Sequence, residues 1–154
     1  MSIQATIEKH KKLVSQLSAK TEKIDNLADI MFQKTKNLID EYIMCWRGNP
    51  IKVEIRKRVI FVKLWESELS FNFGHDSQEE DSEEKLSYYY NIETSQRGSS
   101  NGVFTQYDEL EGWKVVYDDG ETFDLEKNLE HRLMQIMSMF FEEAYCSCLE
   151  SYTP

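Results

Sequence analysis

From Ser2 to Arg47 the chain carries neither glycine nor proline, and its apolar residues recur at helical spacing. Ile3, His10, Leu17, Ile24, Met31, Leu38 and Cys45 fall in one heptad column, and Ile7, Val14, Thr21, Ala28, Thr35 and Tyr42 in the other. The pattern predicts one long amphipathic helix over 1–47, and such a stripe requires something to cover it. Before Lys23 the stripe is narrow and suits a two-helix seam. After Ile24 it widens to Leu27, Ile30, Met31, Phe32, Leu38, Ile39, Ile43 and Met44, which suits a globular core. The second half is therefore expected to pack on the body of the protein. The first half is expected to project, with Ile3, Ile7, Val14 and Leu17 as a dimer seam for a second copy. His10, Thr21 and Thr35 weaken both columns as a coiled coil, so packing within one chain stays open beside the homodimer. Arg47, Gly48, Asn49 and Pro50 end the helix, with glycine at the C-terminal cap and proline just beyond it.

From Ile51 the period changes to two. Ile51, Val53 and Ile55 alternate with Lys52, Glu54 and Arg56 as a half-buried strand, and the phase then shifts to Ile60, Val62 and Leu64. A turn or bulge at Lys57 and Arg58 reconciles the two phases. Leu69, Phe71 and Phe73 make a further strand after a polar turn at Glu66, Ser67 and Glu68. Tyr88, Tyr90 and Ile92 make another, as do Val103, Thr105 and Tyr107, and then Trp113, Val115 and Tyr117. Between them lie an acidic loop over 75–85 and a Ser, Gly and Asn-rich link from Ser95 to Gly102. Ser77 and Glu80 have the spacing of a capping box, so a short helix within the acidic stretch stays open.

Asp118, Asp119 and Gly120 read as a hairpin turn. The segment after them is too short for a full strand before Asp124 starts a helix over 124–152, with Leu125, Leu129, Leu133, Ile136, Met137, Phe140, Ala144 and Cys148 on one side. The fold class is α+β in a single domain over 1–154: a long N-terminal helix, an antiparallel sheet of five or six strands over 51–123, and a long C-terminal helix packed on the sheet.

The chain has 154 residues, 40% of them hydrophobic, which supplies one core. Its net charge of -10 opposes direct nucleic-acid binding and attachment to anionic membranes, and fits a partner protein with a basic surface. The 3 cysteines, Cys45, Cys146 and Cys148, are too few and too unevenly spaced for a disulfide framework. Glu8, Lys9, His10, Lys11 and Lys12 interrupt what would be the apolar region of a leader, and Gln135 and Ser138 break the most apolar later stretch. No membrane association and a cytoplasmic location are expected.

Signatures of catalysis are missing from the local sequence. His10, His75 and His131 have no second ligand at a metal-binding spacing, and Cys146 and Cys148 point to nearly opposite sides of a helix, so neither a metal nor another cofactor is expected. The chain's 6 glycines form no phosphate-cradling loop. Glu109, Glu111 and Lys114 superficially resemble nuclease carboxylates and lysine, in a region where solvated turn residues collect anyway. Lys52, Arg56, Lys57, Arg58 and Lys63 cluster on the first strands without interleaved stacking aromatics, which favours internal ion pairing and edge protection.

The expected function is that of a small acidic, non-catalytic protein-binding protein acting as an inhibitor, an immunity protein or a chaperone-like escort. In size, acidity and helix–sheet–helix order it resembles small secretion chaperones, toxin-immunity proteins and phage-encoded inhibitors as a class, and no residue is carried over from them. The acidic residues Glu79, Glu80, Asp81, Glu83 and Glu84 and the aromatic residues Tyr88, Tyr90 and Trp113 are the candidate partner-binding positions. Two alternatives remain: a pocket between the sheet and the last helix, lined by Tyr107, Trp113 and His131 in an enzyme or small-molecule binder, and a nucleic-acid mimic that blocks a DNA-binding or nuclease protein.

Overall fold

The computed structural model describes residues 2–45, 50–74 and 85–152. Helix α1, Ile3–Met44, opens on Ser2, whose hydroxyl accepts the Ala5 backbone N–H at 3.1 Å. Seven strands follow: β1 Lys52–Arg56, β2 Val59–Leu64, β3 Ser67–Asn72, β4 Lys85–Thr94, β5 Gly98–Asp108, β6 Gly112–Val116 and β7 Thr122–Asp124. Helix α2, Leu125–Ser151, comes last. The strands form one antiparallel sheet in chain order. Lys57 and Trp65, the first residues of the β1–β2 and β2–β3 turns, both have φ of 54°, the sign that two-residue hairpins prefer.

Both helices cover one face of this sheet. Ile60, Val62, Leu69, Phe71, Phe73, Tyr88, Tyr90, Ile92 and Val115 are buried there against Ala28, Met31 and Ile39 of α1 and Leu133, Ile136, Met137 and Phe140 of α2. Phe32 meets Phe73 edge-on at 6.2 Å, and Tyr42 joins α1 to α2 through Phe141 at 6.1 Å. On the other face the polar Ser70, Asn91 and Asn101 align with Phe61 across β2 to β5. Two ion-paired contacts hold α1 to the turns at one end of the sheet. Arg58 reaches Asp25 and Asp29, each at 2.9 Å, and Lys23 reaches Glu109 at 3.0 Å. Both carboxylates hold the Arg58 guanidinium above its ordinary pKa, the hydrogen bond to Asp25 most strongly.

The structure corrects several expectations. The sheet has seven strands rather than five or six, because Thr122–Asp124 pairs with β6 through Lys114↔Asp124 and Val115↔Phe123. Three exposed residues leave no alternation to read, and Phe123 packs edge-on against Tyr117 at 5.3 Å. The link expected over Ser95 to Gly102 shrinks to a turn at its start, since Gly98–Gly102 belongs to β5 and pairs with Tyr90–Thr94. Both faces of that arm are solvated, so its polar composition resembled a loop. Ser67, expected in a turn, is a buried residue of β3. Helix α1 ends at Met44, and Trp46 to Asn49, where the sequence places its stop, lie outside the described residues. Asp124 precedes α2 without a capping bond from its side chain; instead the Asn128 amide donates to the Asp124 carbonyl at 2.8 Å.

Candidate functional site

The heptad columns of α1 run through two environments. In the second half they supply Ala28, Met31 and Thr35, all at 0% exposure inside the core. In the first half Ile3, Ile7, Val14 and Leu17 continue the same columns over a segment where every side chain from Ser2 to Lys23 is exposed except Thr6. That segment is a helical arm about 30 Å long at 1.5 Å per residue. Exposure of its apolar residues runs from 39% at Ile7 to 81% at Ile3. Leu13, which the two-column reading missed, joins the stripe at 53%; its position one residue before Val14 was the available signal. Ile7, His10, Lys11, Val14 and Ser15 line a shallow open groove along it.

The other proposed positions fall elsewhere. Glu79, Glu80, Asp81, Glu83 and Glu84 lie outside the described residues. Tyr88 and Tyr90 cannot present their rings to a partner, because both are 3% exposed and face the helices. Between them Tyr89 points to the open face. Trp113 is half-buried, its ring 5.8 Å from Tyr88 and 5.2 Å from Tyr107. Two of the three residues of the alternative pocket, Tyr107 and Trp113, thus pack ring against ring. His131 instead shares a 2.9 Å hydrogen bond with the Tyr117 hydroxyl. A cavity of about 100 Å³ opens near the far end of α2, among Trp65, Ser95, Ser147 and Cys148, well below the size of ordinary small-molecule sites. Cys146 and Cys148 are both half-buried free thiols.

The most unusual polar group was not foreseen. Arg132 on α2 is completely buried. Its guanidinium donates to Asp118 at 2.9 Å, the Val103 carbonyl at 3.1 Å and Gln135 at 2.8 Å, and lies 5.4 Å from the ring centres of both Tyr90 and Tyr117. Tyr90 also donates to Asp118, at 3.1 Å. This cluster fastens the β6–β7 turn, where Gly120 takes φ of +88°, to α2 and β4. A charged residue one turn after Leu129 and two turns after Leu125 on the apolar stripe of α2 was the signal in the sequence.

Arg56, Arg58 and Lys63 of the basic cluster on the first strands are ion-paired within the protein. Lys63 binds Glu54 at 3.1 Å, and that hydrogen bond holds the Glu54 carboxyl below its ordinary range. Arg56 lies 4.3 Å from the centre of the Phe61 ring. Glu109 and Glu111 sit in the β5–β6 turn, with Glu109 engaged by Lys23. Among the described residues no group of three His, Cys, Asp or Glu side chains could hold a metal ion, and no helix is long and apolar enough to cross a membrane.

The chain matches no protein-family model, no curated protein and no solved structure. The reading of its function therefore rests on its own geometry.

Proposed function

We propose that this is a small non-catalytic protein-binding protein that holds another protein through the outer arm of α1, in the manner of an inhibitor, an immunity protein or an escort. One observation carries the reading: the apolar columns that pack the body continue along an arm whose side chains are exposed. Most helical stability in proteins comes from packing of an apolar face, and each apolar side chain that a partner buries fully contributes roughly 1.5–3 kcal/mol. Docking a partner would stabilise arm and complex together. The acidic remainder of the chain adds a preference for a partner that also has a basic surface.

The test compares the full chain with the variant Ile7→Glu/Val14→Glu/Leu17→Glu, both immobilised and exposed to lysate of the source cells. Glutamate keeps the helix and removes the apolar stripe. One protein held in a fixed ratio by the wild type and lost from the variant is the expected result. Retention of that protein by the variant moves binding away from the arm, and empty capture by the wild type overturns the reading.

A further inference from the structure

Charge along the arm has the opposite sign to charge on the rest of the protein. Lys9, Lys11, Lys12 and Lys20 against Glu8 and Glu22 leave residues 2–22 at +2, so the remainder carries -12 of a total of -10. The lysines are also placed with respect to the apolar stripe. With Ile7 and Val14 in one column and His10 and Leu17 in the other, Lys11 borders the seam on one side and Lys20 on the other. Glu8 lies away from it. Lys11 and His10 line the groove together with Ile7 and Val14. Among the described residues none of Lys9, Lys11 and Lys12 is paired with a carboxylate.

Resting on the protein-binding reading above, we infer that the arm receives an amphipathic helix of another protein whose seam-flanking positions are acidic. Flanking residues of a helix pair choose the partner through their charges, and Lys11 and Lys20 at the two borders select glutamate or aspartate opposite. A second copy fits less well in either direction. Antiparallel pairing sets Ile7 against Leu17 and Val14 against His10, and brings Lys11 against its own copy beside the seam. Parallel pairing places two bodies of charge -12 side by side. An anionic membrane surface would attract the same lysines and repel that body. The arm therefore asks for the sign opposite to the one the body prefers.

The probes are two helical peptides of about three heptads with leucine and isoleucine in both seam columns, one with glutamate and the other with lysine at the flanking positions. Fluorescence anisotropy with the full chain should show the glutamate peptide binding about tenfold or more tightly than the lysine peptide, with the gap shrinking in high salt. Val14→Glu/Leu17→Glu should abolish binding, while an unchanged near-ultraviolet spectrum shows that the body is intact. Equal affinity for the two peptides, binding of neither, a dimer in solution that excludes both, or attachment to phosphatidylserine vesicles in preference to either would overturn the inference. If the arm variant loses its cellular partner while the peptides are not distinguished, the protein-binding reading stands and the acidic-helix inference falls.

Discussion

Arg132 is 0% exposed, and the side chain of its carboxylate partner Asp118, 2.9 Å away, is 54% exposed. The two halves of this ion pair therefore depend on each other unequally. Asp118 without its partner turns to water, whereas Arg132 without its partner is a charge held inside the protein. Asp118→Ala should cost about 2 kcal/mol, below the full range for buried pairs because water screens the exposed side. Arg132→Met, which fills similar volume and removes the charge, should cost about 1 kcal/mol or less. Urea denaturation of the two variants measures both values, and a larger loss for Arg132→Met would refute the asymmetry.

Tyr90 supplies a pH dependence. Burial, then the neighbouring Asp118 charge, raise its phenol pKa above the ordinary value, with Arg132 opposing. A folded-state pKa above the unfolded one, near 10, means that this contribution to stability is full below about pH 10. It is lost as pH rises through the folded value. Tyr90→Phe should cost about 1 kcal/mol at neutral pH through the lost hydrogen bond to Asp118. The wild type should then approach the variant in stability above about pH 10. Denaturant midpoints measured for both proteins at neutral and alkaline pH would show the gap closing; a constant gap would mean that the phenol does not contribute.

Gly102 lies across the sheet from Tyr90, and a β carbon there would stand 2.8 Å from the Tyr90 hydroxyl oxygen and 2.9 Å from a ring carbon. The ring is wedged among core residues and cannot retreat freely. Gly102→Ala should destabilise the fold by about 2 kcal/mol through overpacking. In a Tyr90→Leu background, where the ring is gone, the same substitution should cost much less. Thermal melts of the four proteins of this cycle test the coupling, and simple additivity would place the clash elsewhere.

Much of the architecture was legible because it is periodic. The heptad columns of α1, the stripe of α2 and the alternation of β1 to β4 each repeat a local geometric requirement, so neighbouring residues suffice to reveal them. The turn at Asp118 to Gly120 was legible for the same reason: its residues favour the conformation they adopt. What failed was where local composition and tertiary environment diverge. Gly98–Gly102 has the residues of a loop and the pairing of a strand, and Gly102 is small because the Tyr90 ring occupies the space beside it. Tyr88, Tyr89 and Tyr90 are identical as residues. Only the register with β3, which sets Tyr90 beside Phe71, decides that the outer two face inward and the middle one outward.

The candidate site divides along the same line. The sequence by itself determined that an apolar seam runs the length of the first helix, that the stripe narrows before Lys23, and that lysines gather on the narrow part. These are properties of spacing and charge along one helix. Tertiary structure alone decided that Gly98–Gly102 is a strand against Tyr90–Thr94, and that Arg132 is buried against Asp118. Burial is a sum over neighbours brought together from distant parts of the chain, and no local period encodes that sum.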